Sequence, residues 1–176
     1  MIAKIIVNTL FIIALSVAQV SFINGLPGSF TDLNLVLVIL IFILGFAGFN
    51  YAICWSFGVG FILEIFFFLP FGTYLISLIL TIIIANFLLD YFFTNRSLYS
   101  FLALVALTTA IYELIINSIS LIFLEANKYF FLADFDFWTA ILKQIGLNLL
   151  LTVFIYYLIN FFGRNLRPVF LMKVKK

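Results

Sequence analysis

The chain has 176 residues, of which 66% are apolar and 9% charged, with 25 Phe, no His and one Cys. A water-soluble domain carries roughly 45–50% apolar and about 25% charged residues, so this chain has too little polar surface to coat a particle in water, and lipid is the solvent for most of it. The absence of His excludes His-based triads and His/Cys zinc sites, the lone Cys54 excludes an intramolecular disulfide, and a net charge of +2 does not point to nucleic acid.

A helix needs about 20 apolar residues to cross roughly 30 Å of hydrocarbon, which leaves room here for six spans and short loops. The first runs from about 5 to 23. Lys4, the apolar stretch after it and Ser16-Val-Ala18 resemble a signal peptide with a small-residue cleavage site, yet the run continues to Ile23 and fills a complete span. Turn formers from Asn24 to Asp32, among them Gly25, Pro27 and Gly28, close it.

The second and third spans, about 33–49 and 50–69, are separated only by Gly45, Gly48 and Asn50, which predicts a tight helical hairpin. Nothing polar falls between Leu35 and Leu44, so lipid or an apolar partner helix is expected around the second span. Cys54, in an apolar run of the third, is expected to be a buried structural thiol. Pro70-Phe71-Gly72 reverses the chain, because proline disfavours helix in the residue before it and glycine permits unusual dihedrals. The fourth span covers about 73–93 and the fifth about 98–124, long enough to tilt or to extend beyond the bilayer. A loop from Glu125 to Trp138 precedes the sixth span, about 139–162, and 163–176 is a basic tail. The expected fold is an all-α, six-helix transmembrane bundle forming a single membrane domain.

Cytoplasmic loops hold the excess of Lys and Arg. An even number of spans puts both termini on one side, together with Lys4, Arg96, Arg164, Arg167, Lys173, Lys175 and Lys176; the other side has Lys128, with Lys143 just inside the sixth span. Seven against two predicts that both termini are cytoplasmic.

Ionisable groups inside spans are costly and point to function. Glu64, Asp90 and Glu113 qualify, with Lys143 as their basic counterpart. At about 1.5 Å of rise per residue, Glu64 and Lys143 both lie about 6–8 Å inside the outer boundary. They pair if the third and sixth helices are neighbours; otherwise Lys143 snorkels to the headgroups and Glu64 is protonated. Asp90 is near enough to Arg96 and the inner interface to serve as an anchor, and Glu113, with no partner apparent in sequence, is expected to be protonated or hydrogen-bonded.

Small and polar residues mark helix contacts. Ser56, Gly60 and Glu64 recur four apart in the third span, Thr73, Ser77, Thr81 and Ala85 in the fourth, and Thr109, Glu113 and Asn117 in the fifth. The sixth carries Gln144, Asn148, Thr152, Tyr156 and Asn160, a line that winds across more than one face and should touch two neighbours, or one neighbour and a cavity. Plain bundle packing accounts for any one of these positions. The outer loop groups Tyr129, Phe130, Phe131, Phe135, Phe137 and Trp138 around Asp134 and Asp136, an interfacial aromatic belt or a docking surface for an outer partner. In the tail, Arg164, Arg167, Lys173, Lys175 and Lys176 flank Val169 to Met172 and suit anionic headgroups or a cytoplasmic partner.

Phe57-Gly58-Val59-Gly60, Glu64, and Leu69-Pro70-Phe71-Gly72-Thr73-Tyr74 resemble the bacterial rod shape-determining MreD family, as do Asp32-Leu33-Asn34-Leu35 ahead of the second span. The family has a similar length and about six spans, a Gly-rich third helix, an acid (more often Asp than Glu), and a Pro-x-Gly turn opening the fourth. The match covers Asp32 to Asp90, with topology alone supporting the rest. The resemblance implies a non-enzymatic, multi-pass subunit of the bacterial cytoplasmic (inner) membrane, without cofactor, in the peptidoglycan-elongation machinery. Its partners would be the lipid bilayer, the bitopic protein MreC, the glycosyltransferase RodA with its transpeptidase, and the MreB filament. A different class fits the same size and span count: the substrate-binding membrane subunit of an energy-coupling-factor transporter, with an outward cavity lined by Glu64, Glu113, Asn148 and Lys143. A membrane enzyme would need paired acid and base groups, and no two acids of the spans lie within one helical turn.

Overall fold

The computed structural model describes residues 2–23, 25–26, 28–67, 69–93, 97–123 and 135–163. Six α-helices follow one another: α1 (Ile2–Val17), α2 (Leu35–Ala47), α3 (Phe49–Phe66), α4 (Thr73–Tyr91), α5 (Leu98–Phe123) and α6 (Phe135–Gly163). A π-helical turn, Ala18–Ile23, prolongs α1, and a 3-10 turn, Gly28–Asp32, precedes α2. No strand occurs among the described residues. All six helical segments, counted with these turns, are long and apolar enough to cross a membrane.

Burial follows the logic of a membrane bundle. Large apolar side chains such as Phe11, Phe57, Leu142, Leu150 and Phe154 face outward, whereas Ser56, Ser77, Thr81, Thr108, Thr109 and Thr152 are fully buried. In water the outer surface would drive aggregation; in hydrocarbon it costs nothing, and the interior is where hydroxyls find acceptors. Four of them return their proton to the carbonyl one turn back: Ser77 to Thr73, Thr81 to Ser77, Thr108 to Leu104 and Thr152 to Asn148.

The second span departs from expectation. Neither lipid nor a single partner surrounds α2, because it touches every other helix of the bundle. Val36, Leu37, Val38, Leu40, Ile41 and Leu44 are all at most 2% exposed. A helix that is apolar all round has no face to offer water and is the natural centre of a bundle. At 13 residues it is about 20 Å long, too short alone for the hydrocarbon of a bilayer, and it is the segment counted with the 3-10 turn before it that is long enough to cross one. By contrast α1 is peripheral, docking on α3 where Gly58 faces the Ile12 side chain.

Two glycines shape the α2–α3 hairpin. Gly48 alone connects the helices, with φ 96° and ψ 172°, and its N–H closes α2 on the Ile43 carbonyl. Gly45 makes room for Phe101 of α5, whose ring would lie 2.6 Å from a Cβ there and stacks on Phe42 with centroids 4.9 Å apart. Elsewhere the elements run near expectation, with one shift: α6 begins at Phe135 and not at Thr139. Asp136 in its first turn suits the positive end of the helix dipole, and the Thr139 hydroxyl donates to the Asp136 carbonyl. Cys54 is exposed on α3, not buried. Arg96, the outer loop over 124–134 and the basic tail from 164 lie outside the described residues.

Replacing Gly48 by alanine forces a side chain into backbone space that only glycine occupies freely, and is expected to cost about 1–3 kcal/mol. Reversible unfolding in mixed micelles, compared with Gly146→Ala, where a Cβ meets open space, checks it.

Candidate functional site

One group of polar residues gathers where α2 begins. The first four N–H groups of a helix have no partner within it, and leaving one unpaired in an apolar interior costs about 1–3 kcal/mol. At α2 each finds an acceptor. Asn34 N donates to Asn148 Oδ1 at 2.9 Å, Leu35 N and Val36 N to Gln19 Oε1 at 2.9 and 3.4 Å, and Leu37 N to Asn34 Oδ1 at 2.9 Å. Gln19 Nε2 donates in turn to the Leu33 carbonyl, and Asn148 Nδ2 to Thr109 Oγ1 on α5, both at 3.0 Å. The clamp therefore joins the π-helical turn, α2, α5 and α6.

Beside this clamp opens a cleft of about 460 Å³, at the end of the bundle away from Ile2 and Gly163. Gln19, Asp32, Asn34, Glu113, Asn117 and Gln144 are its polar lining, and Phe67, Tyr74 and Tyr112 supply aromatic surface. Phe67 and Tyr74 stack with ring centroids 4.7 Å apart. Glu113 is half-buried; amides of Asn117 and Gln144 both reach its carboxylate, and Asn117 Nδ2 also donates to the Glu113 carbonyl at 2.8 Å. The winding line on α6, expected to touch two neighbours or one neighbour and a cavity, has Gln144 lining the cleft and Asn148 bonded to the start of α2 and to α5.

A second group closes the α3–α4 hairpin. A Cβ on Gly60 would stand 2.9 Å from Leu75 Cα, so the two backbones meet at that point. Glu64, 7% exposed, accepts from Leu75 N through Oε1 at 3.0 Å, thereby capping an N-terminal donor of α4. Pro70 offers its carbonyl to Thr73 N at 3.2 Å and to Thr73 Oγ1 at 2.7 Å, and Gly72, at φ 99°, is the left-handed residue from which α4 starts. Ser56 is fully buried on α3, the helix of Glu64; its Oγ and Glu64 Oε2 have no hydrogen-bond partner among the described residues.

The remaining candidates separate. Lys143 is exposed on α6, and no ion pair joins it to Glu64, whose helix is not a close neighbour of α6. Asp90 is exposed and accepts from Asn86 Nδ2 at 2.9 Å, a bond within α4. Sequence reasoning missed Gln19; the available signal was that it is the one amide in a run from Leu10 to Ile23 whose other polar residues are Ser16 and Ser21. Among the described residues no three Asp, Glu, Cys or His side chains group as metal ligands. Comparison of the chain with protein-family models, curated proteins and solved structures finds no match.

Gln19→Leu strands two α2 donors and the Leu33 carbonyl, and is expected to destabilise the bundle by about 3 kcal/mol. Asn117→Leu, which leaves the α2 terminus intact, should cost less than half as much in the same unfolding titration.

Proposed function

We propose that the chain is a non-enzymatic scaffold or regulatory subunit of the bacterial cell-shape and peptidoglycan-elongation machinery, similar to MreD, in the cytoplasmic membrane. One observation carries this reading. The residues of the resemblance, Gly60, Glu64, Pro70 and Gly72, converge on a single α3–α4 hairpin in which each has a definite structural task. A pattern of this kind is spent on building a rigid unit rather than on chemistry, which suits a protein that works by holding others in register. Population shift within an assembly, transmitted by packed helices, is then the mechanism.

The distribution of Lys and Arg supports cytoplasmic termini. Green fluorescent protein fused after Lys176 is expected to fluoresce and alkaline phosphatase at the same position to stay inactive; the reverse pattern inverts the topology. Crosslinking and affinity purification from the native host are expected to recover MreC-like and RodA-like membrane proteins, with the MreB filament as a further candidate. Recovery of neither, with the bait intact in the membrane, overturns the proposal.

The cleft favours a second reading, the substrate-binding membrane subunit of an energy-coupling-factor type transporter. Of the four residues expected to line its cavity, Glu113 does so, whereas Glu64 is turned into the α4 terminus, Asn148 is used in the clamp and Lys143 faces outward. Recovery of an ATPase with the bait, in place of wall-synthesis proteins, would establish this reading over the first.

A further inference from the structure

The packing of the bundle does not require the cleft beside α2. The clamp already satisfies the α2 terminus, yet a concavity of about 460 Å³ remains, within the range of small-molecule sites. Its lining has a definite sign. Asp32 and Glu113 contribute carboxylates, and among the described residues neither Lys nor Arg lines it. A second recess of about 120 Å³ shares Asp32, Glu113 and Gln144, so the two acids stand on the wall between both spaces and are approached from either. Phe67, Tyr74 and Tyr112 line the same cleft. Carboxylates and aromatic rings lining one cleft are the chemistry that selects an organic cation, because the face of a ring attracts positive charge and a carboxylate completes the pair.

We propose that this cleft binds an ammonium group, carried by a small amine solute or by the headgroup of an aminophospholipid. Asp32 and Glu113 supply the carboxylates, Asn117 and Gln144 hold that of Glu113 in place, and Phe67, Tyr74 and Tyr112 supply the aromatic surface. The proposal rests on the cleft and not on the scaffold reading, and a failure of either leaves the other standing.

The test uses the full chain in phosphatidylglycerol nanodiscs at fixed ionic strength. Choline and ethanolamine are titrated against 3,3-dimethylbutanol, the neutral isostere of choline, with melting temperature as the readout. A saturable rise with at least one of the amines and none with the isostere is expected. Glu113→Gln should weaken that binding at least tenfold. Ser120→Lys, a half-buried change on the cleft wall that removes no existing carboxylate, should do the same if Glu113→Gln fails to fold. In nanodiscs with equal phosphatidylethanolamine and phosphatidylglycerol, native mass spectrometry separates the sources. Preferential retention of phosphatidylethanolamine, lost in Ser120→Lys, assigns the site to a headgroup; amine binding without such retention assigns it to a free solute. Equal shifts with amine and isostere, undiminished binding by a folded variant, or neither amine binding nor lipid retention overturns the proposal.

Discussion

The bundle depends on how the start of α2 is satisfied. This helix is central, and Val36, Leu37, Val38, Leu40 and Ile41 in its first half are at most 1% exposed, so its free N–H groups lie at the edge of the packed interior. Four donors in such a place represent a penalty comparable with the net stability of a whole domain. Gln19, Asn34 and Asn148 remove it, and because they come from three separate segments, the positions of α1, α2 and α6 become conditions of one another. Thr109 extends the same dependence to α5.

The α3–α4 hairpin solves the equivalent problem locally. Glu64 takes a donor at the start of α4, Gly60 lets the backbones close, and Pro70 and Gly72 turn the chain. An acid inside a span is ordinarily a pointer to function, and here the pointer leads first to a helix terminus. Glu113 differs: its partners are amides that orient it, and its carboxylate borders open space. The two acids look alike along the chain and have different surroundings in the fold. Rigid hairpin and open cleft occupy neighbouring parts of the same end of the bundle, so a ligand in the cleft would bear directly on the α4 start through Tyr74.

Much of this was legible in the residues. Six apolar runs, the reversal at Pro70 to Gly72 and the hairpin near Gly48 are local matters of hydropathy and backbone freedom, and the helices follow them closely. The spacing of Gln144 and Asn148 also indicated a line that leaves a single face, toward two neighbours or a neighbour and a cavity, and the two residues do point to different surroundings. Other readings failed for one shared reason. The surroundings of α2, the exposure of Cys54 and the separation of Glu64 from Lys143 all concern which helix lies beside which, and an apolar run carries little information on that point.

The sequence by itself determined a chain of six helices long and apolar enough to cross a membrane, because charge scarcity and run length act residue by residue. Only the tertiary structure decided that the most apolar helix is the centre and that a polar cleft opens at its start. Asn34 and Asn148 are separated by 114 positions and meet only when the bundle closes, driven by backbone donors that a reading of side chains alone does not count.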